Sequence, residues 1–331
     1  MMRGFCCLLV AGIAAIATAQ VAPIPLHRTL ESTSAKDLPT PGFGRSGPPA
    51  CDLAGNLYFH INRGDASYNN AEIIKISRSS GEPTLFSLPP DRDTAFAAFY
   101  VSPDGVVAFA TEKPDGTHII TFDSKGNAKA DVHLELASPH FKPRHLAIFA
   151  DDSIFVAGFL DMEAAAPAMQ GKAFSGVFEP SGKLRRKLAG VQEDVDPKAL
   201  SERPLEGGAA IGPDQNLYFL GPEKITVISA SGELVRTIKL KKPEPAMLAR
   251  SLTVRDGLIS VEMTRTENME NGFQKLIATY VLLNADTGEV TQVLDVSNKL
   301  PNKAVCFNRA DGYTFVKYVA GHLRLEFAPI L

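Results

Sequence analysis

Pro213-Asp-Gln-Asn-Leu-Tyr-Phe219, Ile225-Thr-Val-Ile-Ser229 and Ser231-Gly-Glu-Leu-Val-Arg-Thr237 follow one another in this chain of 331 residues. The first segment is a turn that leads into a strand of large apolar residues. The other two are β-branched strands joined by a Ser-Gly-Glu turn, in which glycine accepts the positive φ of a tight hairpin. Together the three segments predict two successive antiparallel hairpins.

The glycine turn recurs along the chain, each time between two short apolar runs. Its glycines are 45, 56, 50 and 56 residues apart, which is the spacing of four-stranded propeller blades. The five turns are Ser80-Gly81-Glu82, Lys125-Gly126-Asn127, Ser181-Gly182-Lys183, Ser231-Gly232-Glu233 and Thr287-Gly288-Glu289.

A second turn, which contains aspartate, recurs six times and alternates with the first. Its aspartates are Asp52, Asp104, Asp152, Asp214, Asp256 and Asp311. Alternation of the two hairpins predicts blades of strands A, B, C and D, repeated six times. We therefore expect an all-β fold, a six-bladed β-propeller in one domain over residues 50–331, with four-stranded antiparallel blades.

The first 49 residues precede this domain. Arg3 followed by the apolar stretch Phe5–Ala17 and the small residues Ala17-Thr-Ala19 is typical of a cleaved signal peptide. We expect a signal peptide over residues 1–19, export to the periplasm or the extracellular space, and no membrane span after cleavage. Residues 20–49 form a leader. Within it, Pro25–Leu30 is predicted to pair with Leu323–Phe327, which lacks a fourth strand, and so to close the ring.

The quoted unit at Pro213–Thr237 resembles an NHL-type propeller repeat, from the superfamily that also contains TolB-like and gluconolactonase-like propellers. The resemblance covers nearly the whole chain after residue 19 and implies a six-bladed propeller. Members of that superfamily include protein binders, scaffold domains and metal-dependent lactonases. Their acidic and asparagine metal ligands have no position-by-position match in this chain.

The composition and the sequence motifs argue against several classes of function. The formal charge of −3 argues against nucleic-acid binding, and the absence of tryptophan argues modestly against a sugar-stacking lectin. The basic run Lys183–Lys187 lies on a predicted outer strand, where charge prevents edge-to-edge pairing. No sequence motif for nucleophilic catalysis, phosphate binding or a metalloprotease is present.

Charged residues precede the predicted inner strands and identify a candidate ligand site at the channel mouth. Ordinary solvated loop charges explain them equally well. They are Arg45, Asp93, Arg144, His145, Glu206, Arg250 and Lys303. Long B-to-C loops at Asn62–Glu72, Asp161–Lys172 and Thr264–Gln274 are expected to form one binding surface.

The sequence thus favours a non-catalytic, monomeric exported propeller that binds a protein, peptide or small ligand, with no cofactor. The alternative is a lactonase-like hydrolase or lyase with one divalent metal in the channel. His140 and His145 are the candidate metal pair, but the other histidines, at 27, 60, 118, 133 and 322, do not start an inner strand. Three or four convergent donors are therefore not evident.

Cys51 and Cys306 fall in the predicted inner strands of blades 1 and 6, which become neighbours when the ring closes. A disulfide between them and two buried free thiols are both open alternatives, because adjacent inner strands diverge along part of their length.

Overall fold

A computed structural model describes residues 26–41, 45–61, 73–87, 98–136, 141–160, 172–188, 208–269, 273–301, 303–319 and 322–330. Within these ranges the chain is all-β, with 25 strands in six sheets. The predicted six-bladed propeller is therefore confirmed. None of the described residues belong to a helix long and apolar enough to cross a membrane.

Each of the first four blades is a four-stranded antiparallel sheet, made of strands in chain order. Blade 1 contains β3 (Arg45–Cys51), β4 (Leu57–Ile61), β5 (Ile73–Ile76) and β6 (Pro83–Phe86). Blade 2 contains β7 (Phe99–Val101), β8 (Val107–Lys113), β9 (Gly116–Phe122) and β10 (Ala128–His133). Blade 3 contains β11 (Phe141–Ile148), β12 (Ile154–Leu160), β13 (Lys172–Phe178) and β14 (Leu184–Lys187). Blade 4 contains β15 (Ala209–Ile211), β16 (Leu217–Leu220), β17 (Lys224–Ile228) and β18 (Leu234–Lys239).

The last two blades also take strands from the N-terminal part of the chain. Blade 5 contains β19 (Leu248–Arg255), β20 (Leu258–Asn268), β21 (Gln274–Asn284), β22 (Val290–Val296) and, at its outer edge, β1 (Leu26–Leu30). Blade 6 contains β23 (Ala304–Asn308), β24 (Gly312–Val319), β25 (His322–Ala328) and, as its fourth strand, β2 (Ser34–Pro41).

Both predicted turn types have the expected backbone. The five glycines of the outer turns have φ between 72° and 90°. In the inner turn of blade 4, Asp214 accepts hydrogen bonds from Asn216 and from the Tyr218 hydroxyl. Asp52 is held in the same way in blade 1, by Asn56 and Tyr58. In blades 1 and 4 the turn aspartate therefore stabilises both the turn and the strand that follows it.

The apolar core lies between neighbouring blades. Each inner strand contacts the inner strand of the next blade, from β3 through β7, β11, β15, β19 and β23 and back to β3. Alternate apolar residues of the middle strands fill the spaces between sheets, as Phe155 and Phe219 do between blades 3 and 4, with ring centroids 5.4 Å apart. Packing between twisted sheets in this ring leaves a channel in the centre.

The prediction that Pro25–Leu30 pairs with Leu323–Phe327 is wrong. β1 instead runs parallel to β22 of blade 5, and Ser34–Pro41 pairs with His322–Ala328. The burial of one side chain explains the choice, because Leu38 of β2 is buried against the core that contains Leu323 and Leu325. The first four residues of β1 are exposed, so their sequence carries little information about a partner strand.

The predicted long loop at Thr264–Gln274 is also wrong. β20 continues to Asn268 and β21 begins at Gln274, so this connection is an extended hairpin of two eleven-residue strands. Backbone pairing continues to the Asn268–Gln274 pair, which satisfies groups that a loop would leave to solvent. The loop at Asn62–Glu72 lies outside the described residues, as does Asp161–Lys172 apart from Lys172.

Candidate ligand site in the central channel

A cavity of about 1280 Å³ occupies the centre of the propeller. All six inner strands contribute residues to its wall. The wall is polar at both ends. Arg144, Arg250 and Lys303 lie near the first residues of their strands, whereas Asp152 and Asp256 lie in turns at the opposite end. Ligand pockets of proteins commonly have volumes of roughly 300–1,000 Å³, so this cavity is large enough for a small molecule or a peptide segment.

Two arginines occupy the same structural position in different blades. Each lies where an inner strand contains one extra residue relative to its partner strand: Arg144 between Pro143 and His145, and Arg250 between Ala249 and Ser251. A β-bulge of this kind interrupts the alternation of side chains and redirects the extra one. Both arginines line the cavity. Arg250 Nε donates to Thr264 Oγ1 at 2.9 Å.

The Arg144 guanidinium is partly desolvated. Burial lowers its pKa from the usual range, and its Nε–H is buried without a hydrogen-bond acceptor among the described residues. A buried unpaired donor costs about 1–3 kcal/mol, more when it is charged. The neighbouring His145 ring packs edge-on against Phe219, with centroids 5.3 Å apart. Arg144 therefore brings a partly desolvated cation to the cavity wall.

Glu262 is the buried acidic residue of this wall in the described part of the chain, with 4% of its surface exposed. Its carboxylate accepts a hydrogen bond of 2.6 Å from Ser251 Oγ and pairs with Lys303 Nζ at 3.5 Å. Burial and the nearby Glu262 charge raise the pKa of Tyr280 well above its usual value. Tyr280 accepts a hydrogen bond from the Ala304 N–H. The buried carboxylate of Glu262 therefore holds the Lys303 ammonium beside the cavity.

The opposite end of the channel contains backbone in the left-handed region. Asp152, Gln215 and Asp256 have φ of 60°, 61° and 53° and all line the cavity. Next to them, Arg255 donates to the Cys51 carbonyl at 2.8 Å, and burial lowers the pKa of its guanidinium. The acidic turns and the buried arginine make this end distinct in chemistry from the end that carries Arg144 and Arg250.

The structure brings together four of the seven residues predicted for the channel mouth. Arg144, His145, Arg250 and Lys303 line one cavity. Arg45 lies in β3, and its side chain lies outside the described part, as do Asp93 and Glu206. His140, the other half of the candidate metal pair, is also outside it.

Some site residues were missed from the sequence. Glu262 has a signal that was overlooked: it is a carboxylate in the otherwise uncharged strand segment Ile259–Thr264. A charge at the centre of an apolar strand indicates a partner on the same face. His118 and His133 also carry a signal in the sequence, because they stand at similar distances on either side of the Gly126 turn. In the structure they lie opposite each other in the hairpin.

Cys51 and Cys306 form a disulfide in the structure, with Cα atoms 5.6 Å apart. The bond joins β3 to β23, the inner strands of blades 1 and 6.

The channel residues do not fit a divalent-metal site in the described part of the chain. Glu262 is already paired with Lys303 and Ser251, and Arg250, which lines the cavity from the same blade, is cationic. A metal centre of this type needs three or four converging N, O or S donors. The group of described residues that meets this requirement lies elsewhere, on the outer hairpin of blade 2.

The fold and site define a six-bladed β-propeller with a large central cavity that is cationic at one end. No family model and no curated protein matches the sequence. A structural-genomics target described as a gluconolactonase is 13% identical, covers 91% of this chain and 98% of its own, and has a TM-score of 0.52.

Two further solved structures share this degree of similarity. A gluconolactonase from Xanthomonas campestris is 14% identical over 94% of this chain and 99% of its own, with a TM-score of 0.51. The Pan2 WD40 domain of Neurospora crassa is 10% identical over 92% and 98%, with a TM-score of 0.50. At these identities the similarity shows the fold alone, and the same fold carries both an enzyme and a WD40 domain.

Proposed function

We propose that this protein is a non-catalytic propeller that binds an anionic small molecule in its central channel. The observation that carries the proposal is the pair of β-bulges that direct Arg144 and Arg250 into one cavity. Bulges cost regular pairing and are common beside functional sites, where they re-aim a side chain.

The charge arrangement supports an anion rather than a neutral ligand. Lys303 is held next to the cavity by Glu262, and Arg144 and Arg250 line the same cavity. A carboxylate or phosphate accepts paired hydrogen bonds from a guanidinium, and such charge-assisted bonds are roughly twice as strong as neutral ones. The cavity volume of about 1280 Å³ accommodates a ligand of sugar-acid size with its solvating water.

The experiment is a thermal-shift and calorimetric screen with gluconate, citrate, glucose 6-phosphate and neutral glucose. We expect at least one anionic compound to raise Tm and bind, with affinity that falls as salt concentration rises, whereas glucose does not bind. Arg144→Gln and Arg250→Gln should each weaken binding about tenfold or more, because a charge-assisted bond is worth about 1.5–3 kcal/mol. Arg28→Gln, on the exposed face of β1, is the matched control.

The competing class is a lactonase with a channel metal. Hydrolysis of glucono-δ-lactone, measured with Zn²⁺, Ca²⁺ or Mn²⁺ and with a chelator, separates the two. Metal-dependent turnover that Arg144→Gln abolishes contradicts the non-catalytic proposal. Binding of gluconate without lactone turnover supports it. Equal binding of the anions by the wild type and both arginine variants contradicts the channel site itself.

We also propose that the protein is exported and acts as a monomer. The support is the sequence pattern of residues 1–19, which lies outside the described residues, and the disulfide, which persists in oxidising compartments. N-terminal sequencing of the protein recovered from the periplasm or the medium should begin at Gln20. Light scattering should give the mass of one chain.

A further inference from the structure

We propose that Asp115, His118 and His133 form a Zn²⁺ site on the outer hairpin of blade 2, separate from the channel. One ligand atom of each residue lies within 4.8 Å of the other two. The three come from three points of the backbone: the β8–β9 turn, β9 and β10. The inference does not depend on the proposed function, because none of these residues lines the channel cavity.

The register of the hairpin places the two histidines together. His118 and His133 are directly opposite on β9 and β10, with ring centroids 5.1 Å apart. Because opposite residues of an antiparallel pair point to the same face of the sheet, both imidazoles reach the same side. Asp115, in the tight turn before β9, extends its carboxylate over that side and comes within 3.0 Å of His118 Nε2.

A carboxylate fixes the orientation of the buried histidine. His118 is 7% exposed, and its Nδ1 lies 2.7 Å from Asp131 Oδ1. Asp131 in turn accepts a hydrogen bond from Lys113 Nζ. A histidine ligand usually donates its second ring N–H to a carboxylate, which sets the tautomer and makes the other nitrogen a better ligand. Asp131 leaves His118 Nε2 as the atom that faces Asp115 and His133.

His118 Nε2 and Asp115 Oδ1 lie close to the separation of two ligands on one zinc ion. They are 3.0 Å apart, while the other ring nitrogen of His118, Nδ1, lies 2.7 Å from Asp131 Oδ1. Ligand atoms of a tetrahedral zinc site, at bonds of 2.0–2.2 Å, are about 3.3 Å apart. Asp115 and His133 are exposed, so rotation of their side chains would bring the three ligand atoms from within 4.8 Å to this separation, whereas His118 is buried.

Gly116 leaves the space in which His133 lies. A Cβ added at this residue would be 3.0 Å from His133 Nε2, and its φ of 134° is one that residues with side chains rarely adopt. His133 Nε2 is therefore able to approach the Asp115 carbonyl oxygen to 3.1 Å, to which it donates a hydrogen bond. Metal binding through this nitrogen would replace that hydrogen bond, and the glycine leaves room for the exposed imidazole to turn.

The donor chemistry favours Zn²⁺ over Ca²⁺ or Mg²⁺. Two imidazole nitrogens and one carboxylate oxygen are ligands of borderline metals, whereas calcium and magnesium prefer oxygen ligands alone. Three protein ligands leave a fourth position for water or for an external donor. Metal binding would join the β8–β9 turn to both outer strands and would stabilise an edge that contacts blade 3, where Glu135 N–H donates to the Gly182 carbonyl.

The test is calorimetric titration of tag-free full-length protein with ZnCl₂ after chelator treatment. We expect one Zn²⁺ per chain and a rise in Tm. His133→Gln changes an exposed residue, so it should fold normally and lose the site. Asp131→Asn should keep one Zn²⁺ but weaken it about 10- to 100-fold, as expected for a residue that positions a ligand. His27→Gln is the control, since His27 also pairs with a carboxylate, Asp295, but has no second histidine.

Two further readouts keep the result unambiguous. Co²⁺ substitution should give a spectrum of nitrogen and oxygen ligation without thiolate bands, which excludes binding by Cys6 and Cys7 of residues 1–19. Mg²⁺ in excess should not displace Zn²⁺. The proposal is overturned if the wild type binds no Zn²⁺, if His133→Gln binds it as tightly as the wild type, or if thiolate bands account for the bound metal.

Discussion

The inner turns of blades 1 to 4 each contain one residue with a positive backbone φ, and the type of that residue differs among the blades. Gly55 and Gly105 occupy the left-handed position of the turn in blades 1 and 2, with φ of 77° and 80°. Asp152 and Gln215 hold the same position in blades 3 and 4, and each N–H donates to the carbonyl three residues earlier. Aspartate tolerates this conformation better than glutamine. Gln215 is therefore the strained member of the set, and it lines the channel cavity.

We expect Gln215→Gly to stabilise the protein by roughly 0.5–1 kcal/mol. The left-handed conformation costs a residue with a side chain about 1–2 kcal/mol, and part of the gain is offset by the greater freedom of glycine in the unfolded chain. The measurement is urea unfolding followed by circular dichroism. Gln215→Ala is the control, since it removes the polar group but keeps the Cβ, and it should give no gain. A glycine variant no more stable than the alanine variant would show that the turn is unstrained.

Arg78 and Asp311 connect blades 1 and 6 at the residue scale. Arg78 Nη1 donates to Asp311 Oδ2 at 2.7 Å, and this hydrogen bond lowers the pKa of the Asp311 carboxyl. A carboxyl with a lowered folded-state pKa adds stability above its unfolded pKa, near 3.9, and loses it as the pH falls through the lowered value.

The stability difference between wild type and Asp311→Asn should therefore be larger at pH 6 than at pH 3. Both partners are partly exposed, so the pH-dependent part should stay below about 1 kcal/mol. Denaturant unfolding of both proteins at the two pH values measures it. A difference that does not change with pH would mean that the ion pair adds no stability.

The two N-terminal strands, β1 and β2, differ in whether they bury a side chain in the core between blades. β2 places Leu38 in the core between blades 1 and 6, where it is 1% exposed. β1 has exposed side chains except for Leu30, and Leu26 is 43% exposed. Other outer strands share this exposed pattern, so the pattern does not identify a specific partner strand.

Leu38→Ala should cost about 2–4 kcal/mol, because it leaves a cavity in a packed core. Leu26→Ala should change the free energy of unfolding by less than about 0.5 kcal/mol, as surface substitutions usually do. Both are measured by denaturant unfolding. If the two substitutions cost the same, β2 is not the strand that completes blade 6.

The basic side chains of the outer strands have a structural role at this scale. Arg185 donates to the Ala230 carbonyl in the next blade at 2.8 Å, and Arg236 donates to the Asp286 carbonyl at 2.9 Å. Lys36 of β2 contacts the carbonyls of Arg78 and Ser79 in blade 1. Sequence alone identified charge on these strands, but the acceptors are main-chain atoms about 50 residues away, which a pattern of residue types does not reveal.

At the scale of the whole molecule, the disulfide joins the first inner strand to the last. It encloses 255 positions of the chain. Closing so long a loop restricts the unfolded chain, and the loop-entropy model assigns about 4–5 kcal/mol to it.

Reduction, or the double change Cys51→Ser with Cys306→Ser, should therefore lower the free energy of unfolding by up to about 4–5 kcal/mol. Peptide mapping of protein that is denatured without reduction should recover the two cysteines in one linked fragment. Alkylation of both Cys51 and Cys306 under those conditions would show that the bond does not form.

The blade repeat could be predicted from the sequence because each turn depends on residues that lie close together in the chain. Gly81 and Gly126 need only their neighbours to adopt positive φ, and Asp214 binds residues two and four positions along. The candidate site was harder to predict from the sequence. The charge of Arg144 was identified, but its bulge depends on the register with β12, and the pairing of Glu262 with Lys303 spans two blades. Such long-range geometry arises only when the sheets pack.

The placement of β1 and β2 has a consequence for the order of events during synthesis. β1 has its partner at Gln292–Val296 and β2 at His322–Ala328, so both strands are made long before their partners. Domains that form mainly local contacts begin to fold while translation continues, whereas distant pairings are slow. Blades 2 to 4 are able to form as the chain emerges. β1 stays unpaired until Gln292–Val296 have been made, and β2, with the apolar Leu38, until His322–Ala328 have been made, which gives chaperones an interval in which to hold the chain.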